Sequence, residues 1–204
     1  AHQRGLQVAI HCLGTWAVEQ ALHAFEHAQR VYPRADPRFR IEHCLLPTLS
    51  QIKRAQSLGV IAAVQPPFIL RSGDRHVKRA EEMGGEVRAL PFKTMLAAGM
   101  VVAASSDSPG CPVDPLLGLY AMVTRRTQSE GLPAGPEEAV TPLEGLRMYT
   151  INAAYAMGRE GEVGSLEPGK RADMVVISHD PTAVDPAFLR DVMVEQTYVE
   201  GQCL

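Results

Sequence analysis

Along the first half of the chain, short unbroken apolar runs alternate with longer stretches whose apolar residues recur every three or four positions. The runs Leu6–His11, Gly59–Gln65 and Met100–Asp107 show too little alternation for half-solvated strands, and Arg38–His43 repeats the pattern of the first, a short strand ending on a histidine. Continuous apolar character is what a strand covered on both faces shows. Between them, Ala17–Arg30 carries Val18, Leu22, Phe25 and Ala28 on one stripe. Thr48–Leu58 is a second helix stopped by Gly59, and Phe92–Ala98 is a third. Residues 68–91 hold Arg71, Asp74, Arg75, His76, Lys78, Arg79 and Gly84-Gly85, and are predicted as a long charged loop with at most a helical turn. Strands and helices alternating at these lengths predict four βαβ-type units in a parallel sheet, half of an eight-fold barrel.

The last third changes character. Asp114–Thr127 reads as an amphipathic helix with Leu117, Tyr120, Ala121 and Thr124 inward, followed by a loop over residues 128–140. Thr141, Pro142 and Glu144 form a helix-start signature, a capping box with proline in the first turn, opening a helix to about Met157. Beyond it, Gly164–Gly169 is a turn, Ala172–Ser178 an apolar strand, and Val192–Tyr198 the arm of a final hairpin. Asp173 is expected to bond turn amides. The chain therefore divides at about residue 160, into residues 1–160 and 161–204.

With 204 residues, 46% of them hydrophobic and 21% charged, the chain can bury a full core. A net charge of -3 and the absence of a basic run exclude a nucleic-acid partner, and no stretch reaches the length of a membrane span. Cys12, Cys44, Cys111 and Cys203 have no CxxC spacing and fit a reducing cytoplasm rather than a disulfide framework. No signal peptide is visible. The polar opening Ala1–Gly5, without an initiator Met, reads as that of a processed or truncated chain.

Three polar residues, His11, His43 and Asp107, each terminate a predicted strand. Strand ends of a parallel barrel converge on one rim, so these distant positions can meet. Two neutral imidazoles and a carboxylate suit a borderline divalent ion such as zinc, which activates a water whose proton a nearby carboxylate can take. Taken singly, each has a plainer reading: a hydrogen-bonded structural histidine, or an aspartate capping the next helix. His2, His23, His27, His76 and His179 are assigned structural or surface roles. Arg71, Arg75 and Lys78 carry the charge to meet an anionic substrate, but within a charged loop they are expected to be solvated.

Four segments, Val8-Ala-Ile-His11 with Gly14, Arg40-Ile-Glu-His43, Gly59-Val-Ile-Ala-Ala-Val-Gln-Pro66 and Ser106-Asp107-Ser-Pro109, resemble in order the later strands of the amidohydrolase superfamily, in its family 3 branch. The similarity continues through Asp114–Arg125, Thr141–Leu146, Thr150–Tyr155 and Gly164–Val176. It implies an α/β fold: the C-terminal half of a (β/α)8 TIM-like barrel, strands five to eight, plus part of a small β-sandwich in residues 161–204. It further implies that His11 and His43 are metal ligands of the fifth and sixth strands. Asp107 would be the metal-associated aspartate and general base of the eighth, and Asn152 would lie in a segment packed under the barrel. Departures are definite. The family's first-strand His-x-His pair and its middle-strand bridging ligand are missing, and Gly14-Thr15-Trp16 stands where Gly-Asp is common.

The implied activity is metal-dependent hydrolysis of non-peptide C–N bonds in an amide, cyclic amide or N-acyl small-molecule substrate, with zinc the expected metal. Because the chain holds about half of such a site, weak metal binding and negligible hydrolysis are expected of it alone. The alternative is a non-catalytic half-barrel that forms a homodimer or associates with a missing N-terminal half. A deaminase or phosphoester hydrolase of the same superfamily is a third reading.

Overall fold

Four short segments are rich in Ile, Val, Ala and Leu and three of them are largely buried, so their amides and carbonyls must pair with one another. The computed structural model, which describes residues 1–128 and 133–204, shows them as β1 (Ala9–Gly14), β2 (Arg40–Leu46), β3 (Ile61–Val64) and β4 (Val102–Ala104). All neighbours are parallel and sheet order follows chain order. Crossovers between parallel strands are right-handed, so such an order places every connection on the same side of the sheet, as in a barrel.

Those connections are α1 (Thr15–Val31), α2 (Leu49–Ser57), and α3 (Pro67–Met83) followed by α4 (Phe92–Ala97). Their apolar stripes meet the outer face of the sheet. Val18, Leu22 and Phe25 of α1 pack with Phe39, Ile41 and Ile52, and the Phe25 and Phe39 rings stack at 4.3 Å. Thr48 caps α2, its side chain accepting from Gln51 N while Gln51 returns a bond to Thr48 N. On the other face, Ala9, His11 and Leu13 of β1 are exposed while Cys12 between them is fully buried.

Residues 67–83 are helical, which corrects the predicted loop. Pro67 fits the first turn, and Ile69, Leu70 and Ala80 are buried. Ser72 has non-helical dihedrals (φ -157°, ψ 19°), and that kink, next to Gly73, breaks the apolar periodicity that would have identified the helix. Ser72 Oγ donates back to Phe68 O, a bond that competes with the helical ladder.

In the second half, α5 (Pro115–Thr124) is capped by Asp114. Its buried residues are Gly118–Met122, a broader set than the predicted stripe, because α3, a second helix and the 3-10 turn Pro186–Asp191 all pack against it. The helix predicted to reach Met157 is two, α6 (Pro142–Tyr149) and α7 (Ile151–Ala156). They part at Thr150, whose hydroxyl donates to Leu146 O at 2.7 Å. α7 lies across the sheet, where Asn152 Nδ2 donates to Val102 O at 3.0 Å and Ala156 packs on Ile61 and Ala103. Within the expected loop at 128–140, residues 129–132 lie outside the described residues, and Pro136–Glu138 form a 3-10 turn. The chain ends in an antiparallel sheet of β5 (Met174–Ile177), β6 (Val194–Val199) and β7 (Gln202–Cys203). Asp173 Oδ1 accepts from Glu200 N there, as expected of a turn aspartate. No helix among the described residues is long and apolar enough to cross a membrane.

A close helix contact fixes Gly118. A methyl group at Gly118 would lie 2.8 Å from Tyr149 Cζ and closer still to its hydroxyl. Gly118→Ala gains about 1 kcal/mol of helix propensity but meets an overpacking cost of about 1–3 kcal/mol. Net destabilisation is expected, read as a lowered urea midpoint at unchanged m-value. A second prediction concerns Arg38, which donates to Glu160 through both terminal nitrogens (2.9 and 2.6 Å) and to Tyr155 O, tying the start of β2 to the end of α7. These bonds hold the Glu160 carboxyl down to about 2, from 4.5. A depressed carboxylate stabilises the fold above its unfolded pKa, and that contribution disappears as pH falls toward the folded one. Glu160→Gln should therefore be less stable than wild type at neutral pH, by no more than about 1 kcal/mol for so solvated a pair. In urea titrations the two proteins should converge between about pH 4.5 and pH 2.

Candidate active site

Simple alternation along β2 would put Ile41 and His43 on the helix-covered face and Glu42 on the other. The backbone does not alternate there. His43 (φ 73°) and Cys44 (φ 48°) are both left-handed, a conformation that costs energy for residues with a Cβ. Regular pairing with β3 ends just before, at Glu42–Ala63, and the register with β1 shifts just after Cys12–His43. The irregularity re-aims one side chain, as β-bulges near active sites do. The His43 imidazole reaches that of His11 edge to face, ring centroids 4.6 Å apart. His11 is exposed, whereas His43 is 7% exposed and stacks on Phe68 at 6.0 Å.

A buried hydrogen-bond chain determines which nitrogen of His43 is free. Gln65, 2% exposed, donates through Nε2 to Ala63 O (3.2 Å) and to Ser105 Oγ (3.0 Å). A carbonyl can only accept, so that end of the amide must be the nitrogen. Gln65 Oε1 then faces His43 Nδ1 at 2.8 Å as an acceptor, and Nδ1 must carry the proton. His43 Nε2 is left with its lone pair unprotonated, the state a metal or a proton donor requires.

Asp107 does not terminate β4. The strand stops at Ala104, Ser105 N still donates to Val64 O, and Asp107 lies three residues on in a turn, left-handed at φ 56°. It lines the same cavity as His11 and His43, about 420 Å3 in volume, together with Leu13, Leu45 and Phe68. The rest of the lining comes from the kinked part of α3: Arg71, Ser72, Arg75 and His76. Arg71 Nη1 donates to Gly110 O at 2.5 Å, and Gly110 N to Asp107 O at 2.7 Å, so α3 and the Asp107 turn are linked. His76 Nε2 bonds Ser72 Oγ at 3.1 Å. Burial, and secondarily the charge of Arg75, pushes the His76 imidazole below its usual pKa, so it is neutral at physiological pH.

The donors fit part of a divalent-metal shell. Two imidazoles in contact, one with a defined free lone pair, suit a borderline ion, and a carboxylate stands in the same cavity. Among the described residues, no three His, Cys, Asp or Glu side chains lie close enough together to hold a metal ion. Burial pushes the Cys111 thiol above its usual range, so it adds no thiolate. Sequence pattern missed Gln65, Phe68 and His76. Their signal was the pair Pro66-Pro67, which opens a helix on which residues 68, 72 and 76 recur every fourth position.

Parallel strands with one-sided crossovers, delivering imidazoles and a carboxylate to one rim, place the chain with metal-dependent hydrolases of known structure. It superposes on an uncharacterized metal-dependent hydrolase from Pyrococcus horikoshii OT3 with a TM-score of 0.71 and 29% identity, over 90% of this chain and 36% of that one. An atrazine chlorohydrolase from Arthrobacter aurescens TC1, solved with zinc, shares the fold at a TM-score of 0.65 and 21% identity, over 98% of this chain and 44% of that one. The amidohydrolase family model matches residues 1–204, and the chain belongs to that family. It is 36% identical over 201 residues to the N-substituted formamide deformylase of Arthrobacter pascens, covering 98% of this chain and 37% of that protein. It is also 31% identical to the putative amidohydrolase YtcJ of Bacillus subtilis, covering 99% of this chain and 38% of that protein. The chain thus spans a little over a third of the length of these relatives.

The tautomer assignment can be read directly. Imidazole nitrogen shifts should show His43 protonated at Nδ1 and bare at Nε2, and Gln65→Leu should produce a mixture of tautomers. A wild-type His43 protonated at Nε2 would contradict the bond network.

Proposed function

We propose that the chain provides part of the active site of a metal-dependent amidohydrolase acting on C–N bonds other than peptide bonds, in small amide, cyclic amide or N-acyl compounds. In this reading β1–β4 are strands five to eight of an eight-stranded barrel. Residues 1–160 belong to that barrel, and residues 161–204 form one segment of a small β-sandwich. The observation that carries it is the contact of the His11 and His43 imidazoles, with His43 Nε2 left bare by Gln65, in a cavity also lined by Asp107.

His11, His43 and Asp107 would hold the ion, with zinc the expected metal. When bound, a divalent ion lowers the pKa of a coordinated water and polarises a carbonyl. Asp107, on an exposed turn, would take a proton from water and deliver it to the leaving nitrogen. Gln65 holds the His43 ring in one orientation, and Phe68 stacked against it limits water on that side.

Because the relatives are much longer than this chain, remaining ligands are expected from sequence outside these 204 residues. The test is metal content and hydrolysis in a polypeptide spanning the full length of the relatives, with N-substituted formamides assayed first because the Arthrobacter pascens relative is so named. His11→Ala and His43→Ala should each lower metal affinity by roughly tenfold or more, and Asp107→Asn should cut turnover by about 10²–10⁴-fold with smaller effect on metal content. Unchanged metal content in both histidine variants would sink the reading.

The open edges favour a second reading. Within the described sheet β1 and β4 each have a neighbour on one side only, and exposed edges invite pairing. Two copies related by a two-fold axis could close eight strands. Sedimentation of the 204-residue chain as a stable monomer would remove that option.

A further inference from the structure

The helical path of residues 67–83 changes what the charges of that segment can do. Arg71 and Arg75 lie one turn apart on α3 and both line the cavity of His11, His43 and Asp107, whereas Lys78 does not. Three arginines elsewhere in the fold are occupied: Arg54 by Glu19 and Glu26, Arg38 by Asp36 and Glu160, Arg125 by backbone carbonyls. Arg75 has no hydrogen-bond or ion-pair partner among the described residues, and Arg71 is hydrogen-bonded to the Gly110 carbonyl, a neutral acceptor. One carboxylate, Asp107, lines the same cavity as these two arginines. His76, tied to Ser72, presents a neutral ring beside them. Leu13, Leu45 and Phe68 make the intervening wall apolar.

We propose that Arg75, supported by Arg71, makes this cavity selective for a substrate that carries an anionic group, a carboxylate or phosphate, on an apolar body. Both arginines are exposed at the cavity's side, and the planar guanidinium fork matches both anions, so a charge-assisted pair there discriminates against a neutral amide of the same shape. The inference rests on the hydrolase reading in taking the cavity for the substrate site and assigns the substrate's charge.

The test uses the 204-residue chain, stripped of metal by chelator and desalted, so that metal ligation contributes nothing. Benzoate, phenyl phosphate and benzamide are titrated, with binding read by calorimetry and by the imidazole resonances of His11, His43 and His76. Benzoate or phenyl phosphate should bind at least about tenfold more tightly than benzamide, the scale set by a hydrogen bond to a charged group. The tighter of the two identifies the anion. Arg75→Gln should abolish the preference over benzamide, Arg75→Lys should retain part of it, and Lys78→Gln should leave it within about twofold. Benzamide binding as tightly as either anion, or a preference that survives Arg75→Gln, overturns the proposal. Loss of metal binding in His43→Ala bears on the hydrolase reading alone, so the two can fail separately.

Discussion

The structure turns on a backbone reversal two residues long. A regular parallel strand fixes which face each side chain occupies, and by that rule His43 would point among the helices with Ile41. The left-handed conformations at His43 and Cys44 break the rule at the point where pairing with β3 stops. Without that reversal the two imidazoles could not touch, and the Gln65 amide would have no ring nitrogen to face. Such conformations each cost on the order of 1–3 kcal/mol, and they persist when packing over-determines them. Cys44 and Leu45, each 3% exposed, are the packing that does so here.

Much of the architecture was legible because the strands are so apolar. Ile61–Val64 is wholly buried and reads as strand from composition alone. The capping box at Thr141 fixed one helix start through side-chain chemistry that local sequence fully encodes. Less legible were features set by tertiary contact. Nothing between Thr141 and Met157 announces the break at Thr150, where α7 must turn to lie across β3 and β4. The inward face of α5 was drawn too narrowly because an amphipathic stripe presumes one covered side, and this helix is covered on several.

The site divides the same way. His11, His43 and Asp107 were picked out as polar residues closing apolar runs, and the structure sets all three around one cavity. Gln65 escaped because its role depends on three partners contributed by three strands or their ends: His43, Ala63 and Ser105. His76 escaped for another reason, and Arg71 and Arg75, expected to be solvated, are exposed yet line the same cavity. A charged stretch with glycines resembles a solvated loop until Ile69, Leu70 and Ala80 are seen to be anchored, after which the charges must fall on particular faces.

Arg125 has a consequence for how a ligand reaches the cavity. It is fully buried, ends α5, and donates to the carbonyls of Ala134, Leu90 and Ala89. Leu90 in turn donates its amide to Leu45 O, and Arg88 its amide to Pro47 O, so the strand-like return after α3 is stitched to the rim of β2. At its other end α3 starts directly from the Gln65–Pro66 corner. Fastened at both ends, the helix is a fixed roof and not a swinging lid. A ligand must therefore reach the pocket without displacing α3.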